Sequence, residues 1–297
     1  MSDDEVPPAA RGGRISRRAL IAGGAAVAVA AIAGGGALVL PRLLDREDGL
    51  LVPKLVARKD FTVAHRGGSL DWPEMSLEAY RRSVELGVNA LEISLARTSD
   101  GVWFGLHDET LDRTSGTSGF VAAEHTWKEV QRHRITAAAT TDPSQPARPY
   151  LRFEELVAAY GRSHTIFVDP KVVPVEHFGE LFALMEAVPH PADTFVAKGY
   201  CTAQHWPVDA RARGYTTWGY YYGSELRADP SLLSRTQDRW TWLGLDYQGG
   251  AESWHTLSGT GKPVLAHIVP SQAAADQATT LGASGMVVSG VKEVLGG

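Results

Sequence analysis

Short apolar segments alternate with helix-like segments along most of this chain, from residue 61 onward. Eight of them have the length and composition of buried strands, at residues 61–65, 90–95, 165–169, 194–197, 216–219, 242–245, 263–268 and 285–289. Helix-like segments lie between them, at residues 75–86, 153–160, 176–187, 203–213, 230–235 and 271–281. Eight strand–helix units predict an α/β fold, a (β/α)8 TIM barrel. An open doubly wound sheet is the alternative, and the lack of a glycine-rich dinucleotide fingerprint after the first strand counts against it.

An extra strand, at residues 103–107, is predicted directly after the second barrel strand. An Asp-Gly pair at residues 100–101 is a strong signal for a hairpin turn. A two-residue turn would place His107 opposite Ser94, and a turn one residue earlier would place it opposite Glu92. Because side chains alternate along a strand, both registers put His107 on the face that carries Glu92 and Ser94.

Polar side chains stand at the ends of the first three predicted barrel strands. His65 ends the first strand, Glu92 lies on the second, and Asp169 ends the third. Active-site groups of such barrels lie at the C-terminal ends of the strands, so we expect these side chains to meet. Two histidines, His65 and His107, can exchange protons near neutral pH, and carboxylates can hold a hard cation. With Arg66 as a clamp for phosphate, the set indicates phosphate-ester chemistry.

Residues 61–119 resemble the glycerophosphodiester phosphodiesterase family. That family's pattern is His-Arg-Gly, then Pro-Glu-Asn-Thr, Glu-x-Asp and His-Asp-x-x-Leu-x-Arg-Thr, and the matching residues here are 65–67, 73–76, 92–94 and 107–114. The sequence departs from the pattern at residues 75–76, which are Met-Ser, and at Ser94, where the family has a carboxylate. The resemblance implies hydrolysis of a glycerophosphodiester, or of another phospholipid-derived substrate, to sn-glycerol phosphate and an alcohol. It also implies a small insertion after strand 2 of the barrel, about residues 110–148, that caps one side of the pocket.

The resemblance also implies roles for individual residues. It makes His65 and His107 the general acid and base, without deciding which is which. It implies a divalent cation, Ca²⁺ or Mg²⁺, with Glu74, Glu92 and Asp169 as the metal ligands. Asp169 stands where the family has the Glu of a Glu-x-Lys motif.

Ser94 is the departure that bears on this cation. Its hydroxyl is neutral, and because Ca²⁺ and Mg²⁺ sites depend on ligand charge, we expect the cation to bind more weakly. A rival interpretation is that Lys198 or Lys171 has taken over the role of the cation. Another is that the protein binds phosphodiesters of the cell envelope without turning them over. A related phospholipase or lyase that acts on intact phospholipids is a further alternative.

Five residues are candidate substrate contacts, namely Arg66, Lys171, Lys198, Trp218 and His267. Arg66 and Lys171 belong to the family motifs and would face the phosphate. Lys198 and His267 end the fourth and seventh strands, and are either pocket residues or solvated strand-end groups. Trp218 belongs to an aromatic run after strand five, which either lines the pocket of the leaving group or packs a helix on the barrel.

Residues 1–41 predict a membrane or export segment. Residues 1–18 carry arginines at positions 11, 14, 17 and 18, and residues 19–41 are uncharged. About 22 helical residues at 1.5 Å each span a hydrocarbon layer of ~30 Å, so the run is long enough for a transmembrane anchor. The arginines orient the N-terminus toward the cytoplasm, and the pair at 17–18 resembles a twin-arginine export signal. Cleavage near residues 31–33 is the alternative to an uncleaved anchor.

The remaining segments complete the predicted organisation. We assign residues 42–55 to a linker and residues 56–297 to the barrel domain. That domain would lie outside the cytoplasm, in the cell envelope, with the membrane as a partner through residues 19–41. The net charge of -5 gives the chain no general affinity for nucleic acid. Cys201 is the only cysteine, which excludes an intrachain disulfide.

Overall fold

The computed structural model describes residues 49–296 of the chain. The strands in this range are β1 (Phe61–Ala64), β2 (Ala90–Arg97), β3 (Trp103–Gly105), β4 (Arg134–Ile135), β5 (Arg148–Pro149), β6 (Thr165–Asp169), β7 (Phe195–Tyr200), β8 (Thr216–Tyr221), β9 (Trp242–Asp246), β10 (Val264–Val269) and β11 (Gly285–Val288). The α-helices are α1 (Val52–Ala57), α2 (Leu77–Glu85), α3 (Asp112–Ser115), α4 (Trp127–Val130), α5 (Phe153–Tyr160), α6 (Phe178–Glu186), α7 (Pro191–Thr194), α8 (His205–Ala212), α9 (Gly223–Ala228), α10 (Leu232–Thr236), α11 (Ala251–Ser258), α12 (Gln272–Thr280) and α13 (Val291–Leu295). Short 3-10 turns occur at His65–Gly67, Ala122–Glu124, Val175–His177 and Gln237–Arg239.

Eight parallel strands form a closed barrel. In spatial order they are β1, β2, β6, β7, β8, β9, β10 and β11, and β1 pairs with both β2 and β11, so the sheet closes on itself. At least one helix lies between each strand and the next one in the barrel. The predicted (β/α)8 TIM barrel is therefore confirmed, and each predicted barrel strand is present. Parallel strands are buried on both faces, which explains why most residues of these strands are apolar.

The barrel core extends to residues that precede β1. Val52 and Leu55 of α1 are buried in the same apolar cluster as side chains of the barrel strands. The backbone N–H of Leu50 donates to the carbonyl of Asn89 at 3.0 Å. Apolar side chains from the predicted linker, residues 42–55, thus cover part of the barrel core.

The hairpin between β2 and β3 has a register that differs from both predicted ones. Arg97 lies opposite Trp103, so residues 98–102 connect the two strands in place of a two-residue turn. The side chain of Thr98 explains the longer connection. Its Oγ1 accepts a hydrogen bond from the backbone N–H of Val102 at 2.9 Å and donates one to Asp100 at 2.6 Å.

The observed register alone would turn His107 away from Glu92. Continued for two residues, it would place His107 across from Ile93, on the opposite face of the sheet. The strand β3 ends at Gly105, however, and the next residue, Leu106, makes one more backbone hydrogen bond to β2, from its N–H to the carbonyl of Ser94 at 3.0 Å. His107 therefore reaches the end of the barrel from a loop, not from a strand.

Residues 110–148 form a small insertion beside β2 and β3. It contains the helices α3 and α4 and the strand β4. At the C-terminal end of the insertion, β4 pairs with β5 to form a separate two-stranded sheet. A second apolar cluster unites this segment with the hairpin through Phe104, Leu111 and Val130, among others. The insertion therefore has its own small core.

The N-terminal predictions concern a different part of the chain. Residues 1–18, residues 19–41 and most of the predicted linker lie outside the described residues. Within residues 49–296, none of the helices has the length and apolar character that crossing a membrane requires.

Candidate active site

One cavity at the C-terminal ends of the barrel strands gathers all the residues predicted to act as catalysts or substrate contacts. It is lined by His65, Arg66, His107, Lys171, Lys198, Trp218, Tyr220, Tyr222, His267, Ile268 and Val287. Side chains from several barrel strands, and from loops that follow them, meet here as the barrel architecture predicts.

The His-Arg-Gly segment forms a tight turn directly after β1. Arg66, Gly67 and Gly68 all have positive φ angles, of 49°, 75° and 86°. A Cβ atom at Gly67 would lie 2.9 Å from the Cβ of Ala79 on α2, so only glycine fits this close approach. The turn directs the backbone N–H of Arg66 to Oε2 of Glu92, at 2.8 Å. Backbone conformation thus fixes His65 and Arg66 beside the second strand.

His65 is held as a neutral ring. Its Nδ1 lies 3.2 Å from the hydroxyl oxygen of Ser69, and its side chain is buried. Burial lowers the pKa of His65 well below its usual range, and the neighbouring charge of Arg66 lowers it further. At neutral pH the imidazole is therefore uncharged and able to accept a proton.

His107 is oriented by a chain of charged side chains. Its Nδ1 lies 2.7 Å from Oδ1 of Asp108, and Nε of Arg113 donates to Oδ2 of Asp108 at 2.6 Å. Arg113 also donates two hydrogen bonds to Glu74, at 2.8 and 3.0 Å. The chain runs from Glu74 through Arg113 and Asp108 to His107, and it leaves Nε2 of His107 for other partners.

The protonation of His107 reflects two opposing effects. Burial and the charge of Arg66 lower the pKa of His107, and the hydrogen bond that its ring donates to Asp108 opposes this without cancelling it. A carboxylate at Nδ1 stabilises the imidazolium form of a histidine, so His107 is better suited than His65 to carry a proton. Asp108 and Arg113 were not singled out in the sequence, although both stand inside the His-Asp-x-x-Leu-x-Arg-Thr pattern.

Residues 75–76 are Met-Ser where the family pattern has Asn-Thr, and the serine still caps a helix. Oγ of Ser76 accepts a hydrogen bond from the backbone N–H of Ala79 at 3.2 Å and caps α2. Met75 has a φ of 53°, a conformation that Asn adopts more readily than Met. The replacement of Asn-Thr by Met-Ser therefore affects local backbone strain and leaves the cap in place.

Lys198 lies between two of the predicted metal ligands. Its Nζ donates to Oε1 of Glu92 at 2.8 Å and to Oδ2 of Asp169 at 3.0 Å, and only 7% of its side-chain surface is exposed. Lys198 is on β7, Asp169 is on the neighbouring strand β6, and Glu92 is on β2, the strand beyond. Ser94 donates its hydroxyl to the same Oε1 of Glu92 at 3.2 Å.

The charges of this cluster stabilise one another. Burial acts to raise the pKa of Glu92, but the charge and hydrogen bond of Lys198, together with His65 and Arg66, outweigh it and hold the pKa well below its usual range. Burial likewise acts to lower the pKa of Lys198, but Asp169 and Glu92 together raise it far above its usual range. At neutral pH Lys198 is therefore an ammonium group and Glu92 a carboxylate.

The predicted metal ligands do not fit a divalent cation as the chain arranges them. Both oxygens of Glu92 accept hydrogen bonds, from Lys198 and from the backbone of Arg66. Both oxygens of Glu74 accept hydrogen bonds from Arg113, and one of them also from Arg66. Within residues 49–296, no three His, Cys, Asp or Glu side chains are grouped so that they could hold a metal ion. Cations of the chain itself thus bind Glu74, Glu92 and Asp169, and the assignment of these three residues as metal ligands stays a prediction.

Aromatic rings form one wall of the cavity. The ring of His267 lies 5.4 Å from the rings of Tyr220 and Tyr222, and 5.9 Å from that of Trp218. Nε2 of His267 donates to the backbone carbonyl of Tyr221 at 2.9 Å, and burial lowers the pKa of His267 to about 4. His267 is therefore a neutral pocket residue rather than a solvated strand-end group.

The two other predicted contacts differ in their surroundings. Trp218 packs in the barrel core, where a Cβ atom at Gly244 would lie 2.5 Å from its ring. Lys171 extends from the loop after β6, and its Nζ donates to the hydroxyl of Tyr220. Trp218 therefore packs inside the barrel and also lines the cavity.

Comparison with known proteins connects this cavity to one family. Residues 65–186 match the model of the glycerophosphoryl diester phosphodiesterase family. The chain is 39% identical over 74 residues to a glycerophosphodiester phosphodiesterase of Caldanaerobacter subterraneus, which covers 25% of this chain and 30% of the relative. It is 33% identical over 110 residues to human glycerophosphodiester phosphodiesterase 1, which covers 37% and 33%. The chain thus spans about a third of the length of these curated relatives.

Solved structures show the same fold over nearly the whole domain. One is an Oleispira antarctica phosphodiesterase in complex with the product sn-glycerol-3-phosphate, with a TM-score of 0.65, 16% identity, and coverage of 81% of this chain and 97% of that one. Another is the glycerophosphodiester phosphodiesterase of Thermotoga maritima, with a TM-score of 0.61, 16% identity, and coverage of 79% and 96%. The family match includes His65, His107 and Asp169 and ends before Lys198.

Proposed function

We propose that the chain is a member of the glycerophosphoryl diester phosphodiesterase family, whose model matches residues 65–186, and that it hydrolyses glycerophosphodiesters to sn-glycerol phosphate and an alcohol. The observation that carries this proposal is the pair of histidines. His65 and His107 line one cavity, and each has its Nδ1 against an oxygen of a neighbouring side chain.

We assign His65 as the first base and His107 as the first acid. His65 takes the proton of a glycerol hydroxyl of the substrate, and that oxygen attacks phosphorus. The bond from phosphorus to the alcohol oxygen breaks, and His107 gives its proton to the departing alkoxide. The product of this step is a cyclic phosphate. In the second step the roles reverse, because His107 takes a proton from water, the water oxygen opens the ring, and His65 returns its proton to the glycerol oxygen.

Positive side chains around the two histidines would bind the phosphate. Arg66, Lys171 and Lys198 all line the cavity. The Nε–H of Arg66 is buried and has no hydrogen-bond partner in the part of the chain that the structure describes, so it is a donor suited to a phosphate oxygen. A bound phosphodiester anion would also favour the imidazolium form of His107, which the first step requires.

The proposed mechanism departs from the family pattern at the divalent cation. Enzymes of the family generally use such a cation, which would neutralise phosphate charge. The carboxylates that the resemblance assigns to Ca²⁺ or Mg²⁺ are bound by Lys198, Arg66 and Arg113, so they do not fit it. Every step described above therefore uses side chains of the chain alone.

The experiment is a turnover screen with the full chain. Glycerophosphocholine, glycerophosphoethanolamine and glycerophosphoglycerol are each incubated with the protein, and released glycerol phosphate is measured with glycerol-phosphate dehydrogenase. We expect glycerol phosphate from at least one of them, and none from the His65→Ala/His107→Ala variant. Release of a cyclic phosphate as the final product would indicate a lyase instead, and no turnover of any diester would contradict the proposed function.

We also propose a location, on the basis of the sequence of residues 1–41. The barrel domain would work outside the cytoplasm, exported or anchored through the uncharged residues 19–41. Substrates there would be glycerophosphodiesters released from membrane phospholipids.

A further inference from the structure

A buried ammonium group occupies the centre of the carboxylate cluster. Nζ of Lys198 lies 2.8 Å from Glu92 and 3.0 Å from Asp169, and Lys198 also lines the cavity with the two histidines. These distances are those of charge-assisted hydrogen bonds. A lysine ammonium carries three N–H donors. Two of them are used by the carboxylates, and the third remains for a group in the cavity.

The serine at position 94 fits this arrangement. Ser94 is fully buried and donates its hydroxyl to the same oxygen of Glu92 that Lys198 binds. An aspartate in its place would add a second buried carboxylate beside Glu92, on the strand next to Asp169. A single ammonium would then face three carboxylates, which a monovalent charge neutralises poorly.

The total charge of the cluster is consistent with a lysine ammonium standing in place of a divalent metal ion. Glu92, Asp169 and the ammonium of Lys198 sum to a single negative charge. The family pattern, with Glu-x-Asp and the Glu of Glu-x-Lys around a divalent cation, sums to the same value. The loss of a carboxylate at Ser94 and the gain of a lysine in place of a divalent ion therefore compensate each other.

We propose that Lys198 takes the place of the divalent cation, neutralising Glu92 and Asp169 and presenting its remaining N–H to a phosphate oxygen of the substrate, so that the protein acts without a metal. The proposal rests on the proposed function for the identity of the substrate. Lys198 transfers no proton in either step, and its charge stabilises the negative charge that develops on the phosphate oxygens.

Lys171 is less suited to the same role. It is exposed to solvent, and its Nζ donates to the hydroxyl of Tyr220 rather than to a carboxylate. Both lysines lie 5.2 Å from the centre of the Tyr220 ring. Lys171 therefore approaches the substrate from the cavity mouth, and Lys198 approaches it from the barrel interior.

The first test measures the metal requirement of the unmodified full chain. The protein is treated with EDTA, its metal content is measured by mass spectrometry, and turnover of glycerophosphocholine is compared with and without added Ca²⁺, Mg²⁺ or Mn²⁺. We expect rates that agree within about twofold under all these conditions. Loss of turnover with EDTA, followed by recovery with one of the metals, would overturn the proposal.

The second test removes the ammonium. Lys198→Met should lower turnover by about 10²–10³-fold, the scale on which loss of one electrostatic contact to the transition state is measured. The exposed Lys54→Met on α1 serves as the matched control and should retain wild-type turnover. Wild-type turnover in Lys198→Met would show that the ammonium does not act on the phosphate.

The third test reads metal binding and needs no turnover. Ser94→Asp combined with Lys198→Ser restores the carboxylates of the family pattern and removes the ammonium. Calorimetric titration with Mg²⁺ should give no binding to the wild type and measurable binding to this double variant. Micromolar binding of Mg²⁺ to the wild type would overturn the proposal, even for a protein that turns over none of the diesters tested. If none of the diesters is turned over but the two calorimetric titrations give the expected results, only the proposed function is contradicted.

Discussion

Arg113 donates two hydrogen bonds to Glu74, at 2.8 and 3.0 Å, and so joins two sequence motifs that lie 39 residues apart. The same guanidinium binds Asp108, which in turn binds Nδ1 of His107. Burial acts to raise the pKa of Glu74, but Arg113 and Arg66 lower it, so Glu74 is a carboxylate. The Glu of the Pro-Glu motif therefore acts in this chain as an anchor for the loop that carries His107.

Arg113 is expected to position His107 rather than to bind substrate. Arg113→Met should lower kcat by about 10–100-fold with little change in KM, because Asp108 and His107 lose their fixed orientation while the phosphate contacts remain. Steady-state kinetics measure this, with Arg148→Met, a half-buried arginine of the same insertion, as the control. A raised KM with unchanged kcat would mean that Arg113 acts on substrate binding.

The charge environment of His65 predicts the acidic limb of the pH profile. Burial, then the charges of Arg66 and Lys198, lower the pKa of His65, and Glu92 opposes them. As pH falls through this lowered pKa, His65 gains a proton and no longer acts as a base. The acidic limb of kcat/KM should therefore lie below the usual histidine pKa of about 6.5.

Lys198→Met provides the test of that electrostatic account. It removes a positive charge near His65 and leaves Glu92 without its partner, and both changes raise the pKa of His65. NMR titration of the ring proton on Cε1 should show a higher pKa than in the wild type, whereas Lys54→Met should leave it unchanged. A lower or unchanged pKa in Lys198→Met would contradict the assignment of charges around His65.

The turn at Gly67 predicts a difference in stability between two glycine substitutions. Gly67→Ala strains a φ of 75° and places a Cβ 2.9 Å from Ala79, so the free energy of unfolding should fall by about 2–4 kcal/mol. Gly282→Ala has a similar φ of 87° but open space around its Cβ, and should cost about 1–2 kcal/mol. Urea unfolding measures both. Equal losses would show that the contact between the turn and α2 is not tight.

The arginine pair at residues 17–18 predicts dependence on a twin-arginine export route. Replacing both with lysine should keep the barrel domain inside the cytoplasm, where added protease cannot reach it in spheroplasts. Replacing Arg11 and Arg14 with lysine is the control and should leave export unchanged. Recovery of the unprocessed wild-type chain in the soluble cytoplasmic fraction would refute the predicted location.

The barrel could be predicted because its signal is local. Each buried strand is a short, mostly apolar segment, and the eight predicted strands match the observed ones to within a few residues. Several helices were not predicted, among them α9 (Gly223–Ala228) and α11 (Ala251–Ser258), which lie between barrel strands and show no strong helical pattern in their own sequences. The register of the β2–β3 hairpin was wrong because the side chain of Thr98, rather than the Asp-Gly pair, shapes the connection.

The site could be predicted only in part, because ion pairs depend on which strands become neighbours. The motifs identified the histidines, Arg66 and the carboxylates, and the structure brings the lining residues together. The partner of Glu92 could not be read from the sequence, since Lys198 lies 106 residues away and approaches only when the barrel closes. The same holds for Glu74 and Arg113, whose motifs are separated by a folded helix and hairpin.

The central claim is that His65 and His107 hydrolyse a glycerophosphodiester in this cavity. Phosphorus NMR of glycerophosphoethanolamine with the full chain tests it most directly, because diester, cyclic phosphate and glycerol phosphate have separate signals. The account predicts that the diester signal is replaced by that of glycerol phosphate, and that His65→Ala and His107→Ala each slow this by about 10²–10⁴-fold. If both single variants keep the fold and still hydrolyse the diester at the wild-type rate, His65 and His107 are not the catalytic residues.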